Sequence, residues 1–157
     1  MMHILFVCTG NTCRSPMAEG IARTMIVARG LEAFAVQSAG TSAHPNAPAS
    51  DGSLLVALEQ GIDLSEHRAQ ELSHDLVHWA DVVLTMGIPH RERAEVLGGA
   101  GKTYLLTAYS ANSAEERPIS DPFGGELDVY RATFAELQRE IKAVLDRAVK
   151  ERDQHST

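Results

Sequence analysis

The segment His3-Ile-Leu-Phe-Val-Cys8-Thr-Gly-Asn-Thr-Cys13-Arg14-Ser15-Pro16 decides how this chain is read. Residues 3–8, apolar from Ile4 onward, read as a short buried strand. Gly10, Asn11 and Thr12 break that run as a loop. Ser15 and Pro16 then read as a helix start, an N-cap type of serine with proline at the first helical position. Strand, short loop and helix follow one another within a few residues.

The same alternation continues outward from this segment. Met17, Ile21, Met25 and Ala28 recur at helical spacing up to Gly30, a natural stop. Residues 34–38 suit a second strand, and 39–50, with two prolines and Gly40, a loop. Helices are expected over 53–60, 72–80 and 89–97, with strands over 81–86 and 102–106. Residues 108–126 read as a long polar loop that holds Asp121-Pro-Phe-Gly-Gly125 near its end, and loops of that length in a compact domain usually serve function. Tyr130, Phe134, Leu137, Ile141, Val144 and Ala148 mark a last amphipathic helix, expected to fray after about Lys150. Four rounds of strand and helix define an α/β fold with a parallel sheet covered on both faces. Ligands in such folds bind beyond the carboxyl ends of the strands, which is where Cys8–Ser15 falls.

Composition narrows the classes. With 157 residues, 44% hydrophobic and 22% charged, the chain fits one globular domain, read here as residues 1–152 with a frayed tail over 153–157. Fourteen basic against 21 acidic residues give a net charge of -7, the wrong sign for a nucleic-acid or anionic-membrane binder. The longest apolar run, Ile4–Cys8, is too short to span a bilayer, and no secretion-type leader is evident, so a cytoplasmic monomer is expected. The two cysteines, Cys8 and Cys13, are too close for a disulfide scaffold and point to reactivity instead.

The chemistry of Cys8-Thr9-Gly10-Asn11-Thr12-Cys13-Arg14-Ser15 follows from its connectivity. A strand-to-helix loop can turn backbone N–H groups inward as a nest for a tetrahedral oxyanion. Arg14 can add two parallel hydrogen bonds to the same anion. These surroundings favour Cys8 as a thiolate, a nucleophile aimed at phosphorus. Cleavage also needs a proton donor for the leaving atom, and Asp121, held by the stiff Asp-Pro step, is the candidate. No cofactor or metal is required: His74 and His78 lie four apart on an expected helix, but a solvated face is the better reading. Trp79 is expected in the core ahead of the third strand, and the alternating charges of 136–153 on an exposed helix face.

Residues 4–19, together with Ser38-Ala-Gly-Thr-Ser42, Asp63-Leu-Ser-Glu-His67 and Asp121-Pro-Phe-Gly-Gly125, strongly resemble the low-molecular-weight protein tyrosine phosphatases across essentially the whole chain. The resemblance implies a four-stranded parallel sheet in the order 2-1-3-4. It also implies Cys8 as nucleophile, Arg14 as phosphate clamp, and Asp121 as general acid and then base toward a phosphocysteine. Thr9–Cys13 would form the phosphate loop and Ser15 would stabilise the thiolate. Asn11 would hold the loop through Ser38 and His67, and Phe123 would border the substrate. Proximity and the resemblance mark Cys13 as a partner for a reversible disulfide with Cys8 under peroxide. Arsenate reductases of this fold need further cysteines after Cys13, and there are none.

Two departures bear on the substrate. Tyrosine-specific members carry Ile or Leu where Thr12 stands, and an aromatic pair where Phe123–Gly124 stand. The loop at 43–46 offers only His44 and small residues in place of Trp or Tyr. The bacterial protein-arginine phosphatases resemble this chain in both the threonine and the Asp-Pro-Phe-Gly-Gly segment. A guanidinium is planar and rich in donors, which a Thr12 hydroxyl can satisfy and an isoleucine cannot. A site built for such bonds can discriminate by as much as ~10^4. Phosphoarginine on proteins is therefore the expected substrate, phosphotyrosine the alternative, and an idle phosphate-binding module the reading from another class.

Overall fold

The computed structural model describes residues 1–155. Its strands are β1 (Met2–Cys8), β2 (Phe34–Gly40), β3 (Val82–Thr85) and β4 (Thr103–Leu105), and its helices are α1 (Arg14–Arg29), α2 (Asp51–Glu59), α3 (His74–Trp79), α4 (Ile88–Ala94), α5 (Leu106–Ala111) and α6 (Leu127–His155). The strands form one parallel sheet in the order β2-β1-β3-β4. The chain leaves β1 toward β2 on one side and later returns to β3 on the other. The carboxyl end of β1 is thus the point where the direction of winding reverses, and a crevice opens there.

Alternation along β1 explains why both faces are covered. Ile4, Phe6 and Cys8 enter one apolar cluster with Met17 and Ile21 of α1 and Leu137 and Ile141 of α6. Leu5 and Val7 enter a second cluster with Val77, Val83 and Ala94. A strand with apolar residues on both faces has no solvent side, so its register is fixed by both layers.

Several boundaries differ from the sequence reading, each for a local reason. α1 begins at Arg14, with Cys13 rather than Ser15 in the cap position. Pro16 is then the third helical residue, still within the turn whose N–H groups need no helical partner. Gly30, at φ 67, ends this helix as expected. Residues 106–111, read from the sequence as the end of a strand and the start of the long loop, form α5, whose Tyr109 is buried and donates to Glu151 of α6 at 2.8 Å. The helix expected over 89–97 ends at Ala94 and continues as a wider π-helical turn to Gly99.

α6 continues past Lys150 to His155. Arg147 Nε bonds Glu151 at 2.8 Å in this last stretch, and the helix includes residues 153–155 of the expected tail. The rest of that tail, 156–157, lies outside the described residues. The charges of 136–153 are not all solvated: Glu136 and Glu140 hold Arg117 of the long loop. Trp79 is half-buried, packed against the edge of the second cluster and stacked on His3 at 4.4 Å, rather than fully inside the core. Among the described residues no helix is long and apolar enough to cross a membrane.

Candidate active site

The loop after β1 is shaped from outside by its carbonyls. Cys8 O accepts from Thr41 N at 3.0 Å, Thr9 O from Ser42 N at 2.9 Å, Asn11 O from His67 Nε2 at 2.7 Å and Thr12 O from Ser50 N at 2.9 Å. Cys13 O takes the first helical bond of α1, from Met17 N at 3.3 Å. Every peptide bond here is trans, so each N–H points opposite to the carbonyl of the preceding residue. The amides of Thr9, Gly10, Thr12, Cys13 and Arg14 are therefore turned to the inner side, around Cys8. Five convergent N–H groups at the start of a helix form a receptor for a tetrahedral anion.

A buried hydrogen-bond chain holds the loop, and its donors and acceptors can be assigned by counting. Asn11 is 0% exposed and sits at φ 55, a conformation asparagine tolerates better than most residues. Its amide oxygen accepts from Gln70 N at 2.9 Å, so its amide nitrogen donates twice, to Ser15 Oγ at 2.8 Å and Ser38 Oγ at 2.9 Å. Ser38 passes its own hydrogen to Glu19 at 2.6 Å, and Glu19 also accepts from Arg23. Ser15, already accepting from Asn11, has its hydrogen free for Cys8 Sγ at 2.9 Å. The network thus turns the Ser15 hydroxyl into a fixed donor to the Cys8 sulfur. Asn11 thus brings Ser15, Ser38 and His67 together around the loop.

The opposite wall comes from the long loop. Ile119 N donates to Met86 O at 2.8 Å beyond the end of β3, and Ile119 O accepts from Arg14 Nη1 at 2.8 Å. Two residues later, Asp121 Oδ2 lies 3.7 Å from Arg14 Nη2, and Asp121 Oδ1 accepts from Phe123 N at 3.0 Å. Arg14 is 6% exposed and its Nε has no partner among the described residues, a buried charged donor at the start of a helix with no acidic residue in its first turn. Such a group calls for an anion. Cys8, Thr9, Gly10, Thr12, Cys13, Arg14, Asp121 and Phe123 enclose a cavity of about 220 Å³. Cys13 also contacts Ser50 Oγ at 3.3 Å and Tyr130 OH at 3.6 Å. A larger cleft of about 300 Å³ is lined in part by Ser38 and His67 and contains no cysteine.

Two residues at the site are given no role by the sequence. His90 of α4 is buried, and its Nε2 lies 2.8 Å from Thr9 Oγ1. Burial, and after it the Arg14 guanidinium, push this histidine down to about 4, against the pull of Asp121. Its position beyond the end of β3, at the ligand side of the sheet, was the available signal. Gly40, the last residue of β2, packs under the loop: a Cβ there would overlap the Thr9 carbonyl and stand 2.9 Å from Asn11 N. His74 and His78, by contrast, are exposed on α3, away from this cavity.

A thiol at the base of a strand-loop-helix anion cradle, with a buried arginine and a facing carboxyl group, defines the class of cysteine-dependent phosphatases. The chain belongs to the low molecular weight phosphotyrosine protein phosphatase family, whose model matches residues 3–155. It is 34% identical over 151 residues to a protein-arginine-phosphatase of Bacillus subtilis (strain 168), covering 96% of this chain and 99% of the relative. It is 39% identical over 142 residues to the low molecular weight protein-tyrosine-phosphatase PtpB of Staphylococcus haemolyticus, covering 87% of this chain and 92% of that one. Among solved structures it is similar to a mutant of the YwlE arginine phosphatase with a phosphorylated active site serine, with a TM-score of 0.90 and 34% identity over 97% of this chain and 99% of the other.

Proposed function

We propose that this phosphatase removes phosphate from phosphoarginine residues of proteins, using Cys8, Arg14 and Asp121. The observation that carries the choice of substrate is the wall of the cavity. It presents Thr12 where an apolar residue would line a phosphotyrosine slot, and its one aromatic residue, Phe123, is 74% exposed at the mouth. A phosphotyrosine ring wants a packed aromatic or aliphatic wall, whereas a guanidinium wants hydrogen-bond acceptors. The name of the Bacillus relative points the same way.

The reaction proceeds in two displacements. The Cys8 thiolate, hydrogen-bonded by Ser15, attacks phosphorus while the inward amides and Arg14 hold the three phosphoryl oxygens. The P–N bond breaks, and Asp121 gives its proton to the leaving nitrogen, releasing arginine and leaving a phosphocysteine. Asp121, now a carboxylate, takes a proton from water as the water oxygen attacks phosphorus. The S–P bond breaks, and inorganic phosphate and the Cys8 thiolate are restored. The phosphorylated active site serine of the structural relative supports a covalent intermediate at this position of the fold.

The second reading, a phosphotyrosine phosphatase, is favoured by Phe123, whose exposed ring offers one face to an aromatic substrate, and by the name of the Staphylococcus relative. The same chemistry would then break a P–O bond. Thr12→Ile separates the two. On matched peptides, it is expected to lower kcat/KM for phosphoarginine by about 10^2-fold and to raise it for phosphotyrosine. Unchanged selectivity contradicts the assignment of Thr12.

The reading also has the enzyme acting as a cytoplasmic monomer. Both cysteines are free thiols, as suits a reducing compartment. Cys13 is assigned as the reversible disulfide partner of Cys8 under peroxide, supported by its place in the same cavity wall. Mass spectrometry after mild peroxide treatment is expected to find a Cys8–Cys13 link. Cys8 sulfinic acid without that link contradicts the assignment.

A further inference from the structure

His90 and the side chain of Thr9 have no assigned task in the mechanism above, yet they are joined at the edge of its cavity. Thr9 is exposed and lines the pocket with Arg14 and Asp121, while His90, behind it, is 7% exposed. Among the described residues the imidazole has one polar contact, Nε2 to Thr9 Oγ1, at 2.8 Å. Its Nδ1 is buried without a partner and is turned toward Gly87, where even an added Cβ would be 3.6 Å away.

These facts fix the hydrogen. A neutral imidazole carries one N–H, on either nitrogen. A buried N–H with no acceptor is among the rarest and costliest features of a folded protein, whereas a bare lone pair is tolerated better. The hydrogen therefore belongs on Nε2, and His90 donates to Thr9. The Thr9 oxygen then serves as acceptor in this bond, and its own hydrogen is left free for another acceptor.

We propose that Thr9 and His90 form a relayed donor that extends the phosphate cradle, with His90 Nε2–H fixing Thr9 Oγ1 so that the Thr9 hydroxyl donates to a phosphoryl oxygen of the substrate. Thr9 is a binding residue under this proposal and His90 a positioning residue that acts only through it. The chemistry that recognises the pair is a phosphoryl oxygen, a pure acceptor, and not the donor-rich guanidinium that departs past Thr12. The inference rests on the phosphatase reading of the site and adds a side-chain donor to its backbone amides and Arg14.

Inorganic phosphate, which has no leaving group, is the probe. Its inhibition constant against hydrolysis is measured for wild type, Thr9→Val, His90→Leu, the double variant and His90→Gln, whose amide N–H has similar reach. Thermal melts run alongside, and because Thr9 is exposed, Thr9→Val decides the matter if His90→Leu does not fold. Each apolar single variant is expected to weaken phosphate binding about tenfold, as for one lost bond to a charged acceptor. The double variant is expected to be no worse than either single, and His90→Gln to recover most of the loss. Unchanged phosphate binding in Thr9→Val, or losses that multiply in the double variant, overturns the relay while leaving the phosphatase reading intact. A wild-type protein that neither hydrolyses phosphopeptides nor binds phosphate overturns both.

Discussion

The cradle of residues 8–15 and the segment of residues 112–126 that carries Asp121 face each other across one cavity but are held in different ways. In the cradle, five carbonyls are bonded outward, Asn11 is buried with its amide fully used, and Gly40 leaves room for only one course of the backbone. The facing segment is exposed over most of its length and is held by Ile119, by the buried Thr107 hydroxyl on the Arg117 carbonyl, and by surface pairs of Arg117 with Glu136 and Glu140 and of Arg91 with Glu116. Asp121 has a side chain that is 50% exposed. The phosphoryl group, which is the same in every substrate, meets the over-determined side. The leaving group and the incoming water, which must pass in and out, meet the exposed side.

Variants on the two sides should therefore fail differently. The largest effect is expected from Asp121→Asn, which should lower turnover of a phosphoarginine peptide by about 10^3-fold while leaving the thermal melt in place; a large drop in Tm would show that the exposed side is structural after all. Asn11→Ala comes next. It strands Ser38, Gln70 N and the Ser15 hydroxyl, so it is expected to lower activity about 10^2-fold and stability by roughly 2–4 kcal/mol, read by steady-state kinetics and chemical denaturation. Activity lost with stability intact would show that the network aims Ser15 without bracing the loop.

Smaller effects sharpen the comparison. His90 is neutral in the folded protein down to about pH 4 but titrates near its ordinary 6.5 when unfolded. Between those values the unfolded chain binds more protons, so stability present above pH 6.5 is lost as the pH falls toward 4. Solvent screening keeps this contribution to the order of 1–2 kcal/mol. Denaturation across that range should show the loss in wild type and a flatter profile in His90→Gln; parallel profiles would contradict it. Arg117→Ala, on the exposed side, should cost under about 1 kcal/mol, since it breaks pairs that solvent reaches. A larger loss in denaturation would show those pairs to be more than surface contacts.

What the sequence made legible was short in range. Strand β1, the glycine-bearing loop and the start of α1 are adjacent in the chain, and each is signalled by its own residues: an apolar run, Gly10, and Ser15-Pro16. The alternation of strands and helices gave the parallel sheet for the same reason. The rest depends on contacts across the fold. Thr9 and His90 are 81 residues apart, and no pattern in either segment announces the other. Gly40 looked like a loop glycine because its constraint lies in the backbone of a different strand's loop. α5 has polar Thr107 and Ser110 and exists because Tyr109 and Leu106 are buried and Arg147 of α6 caps it, with Nη1 on Tyr109 O at 3.0 Å. The same α6 charges that read as a solvated face in fact clasp the long loop that carries Asp121.

The central claim is a division of labour, in which the cradle performs the attack on phosphorus and the exposed side supplies the proton for the leaving atom. The most direct measurement is a rapid-mixing comparison of Asp121→Asn on a phosphoarginine peptide and on p-nitrophenyl phosphate, whose leaving group needs no proton. With this division, Asp121→Asn gives a burst of nitrophenolate, about one equivalent per Cys8, followed by slow turnover, and no burst of product from phosphoarginine. A burst lost equally with both substrates would contradict it, because Asp121 would then be needed for the attack itself.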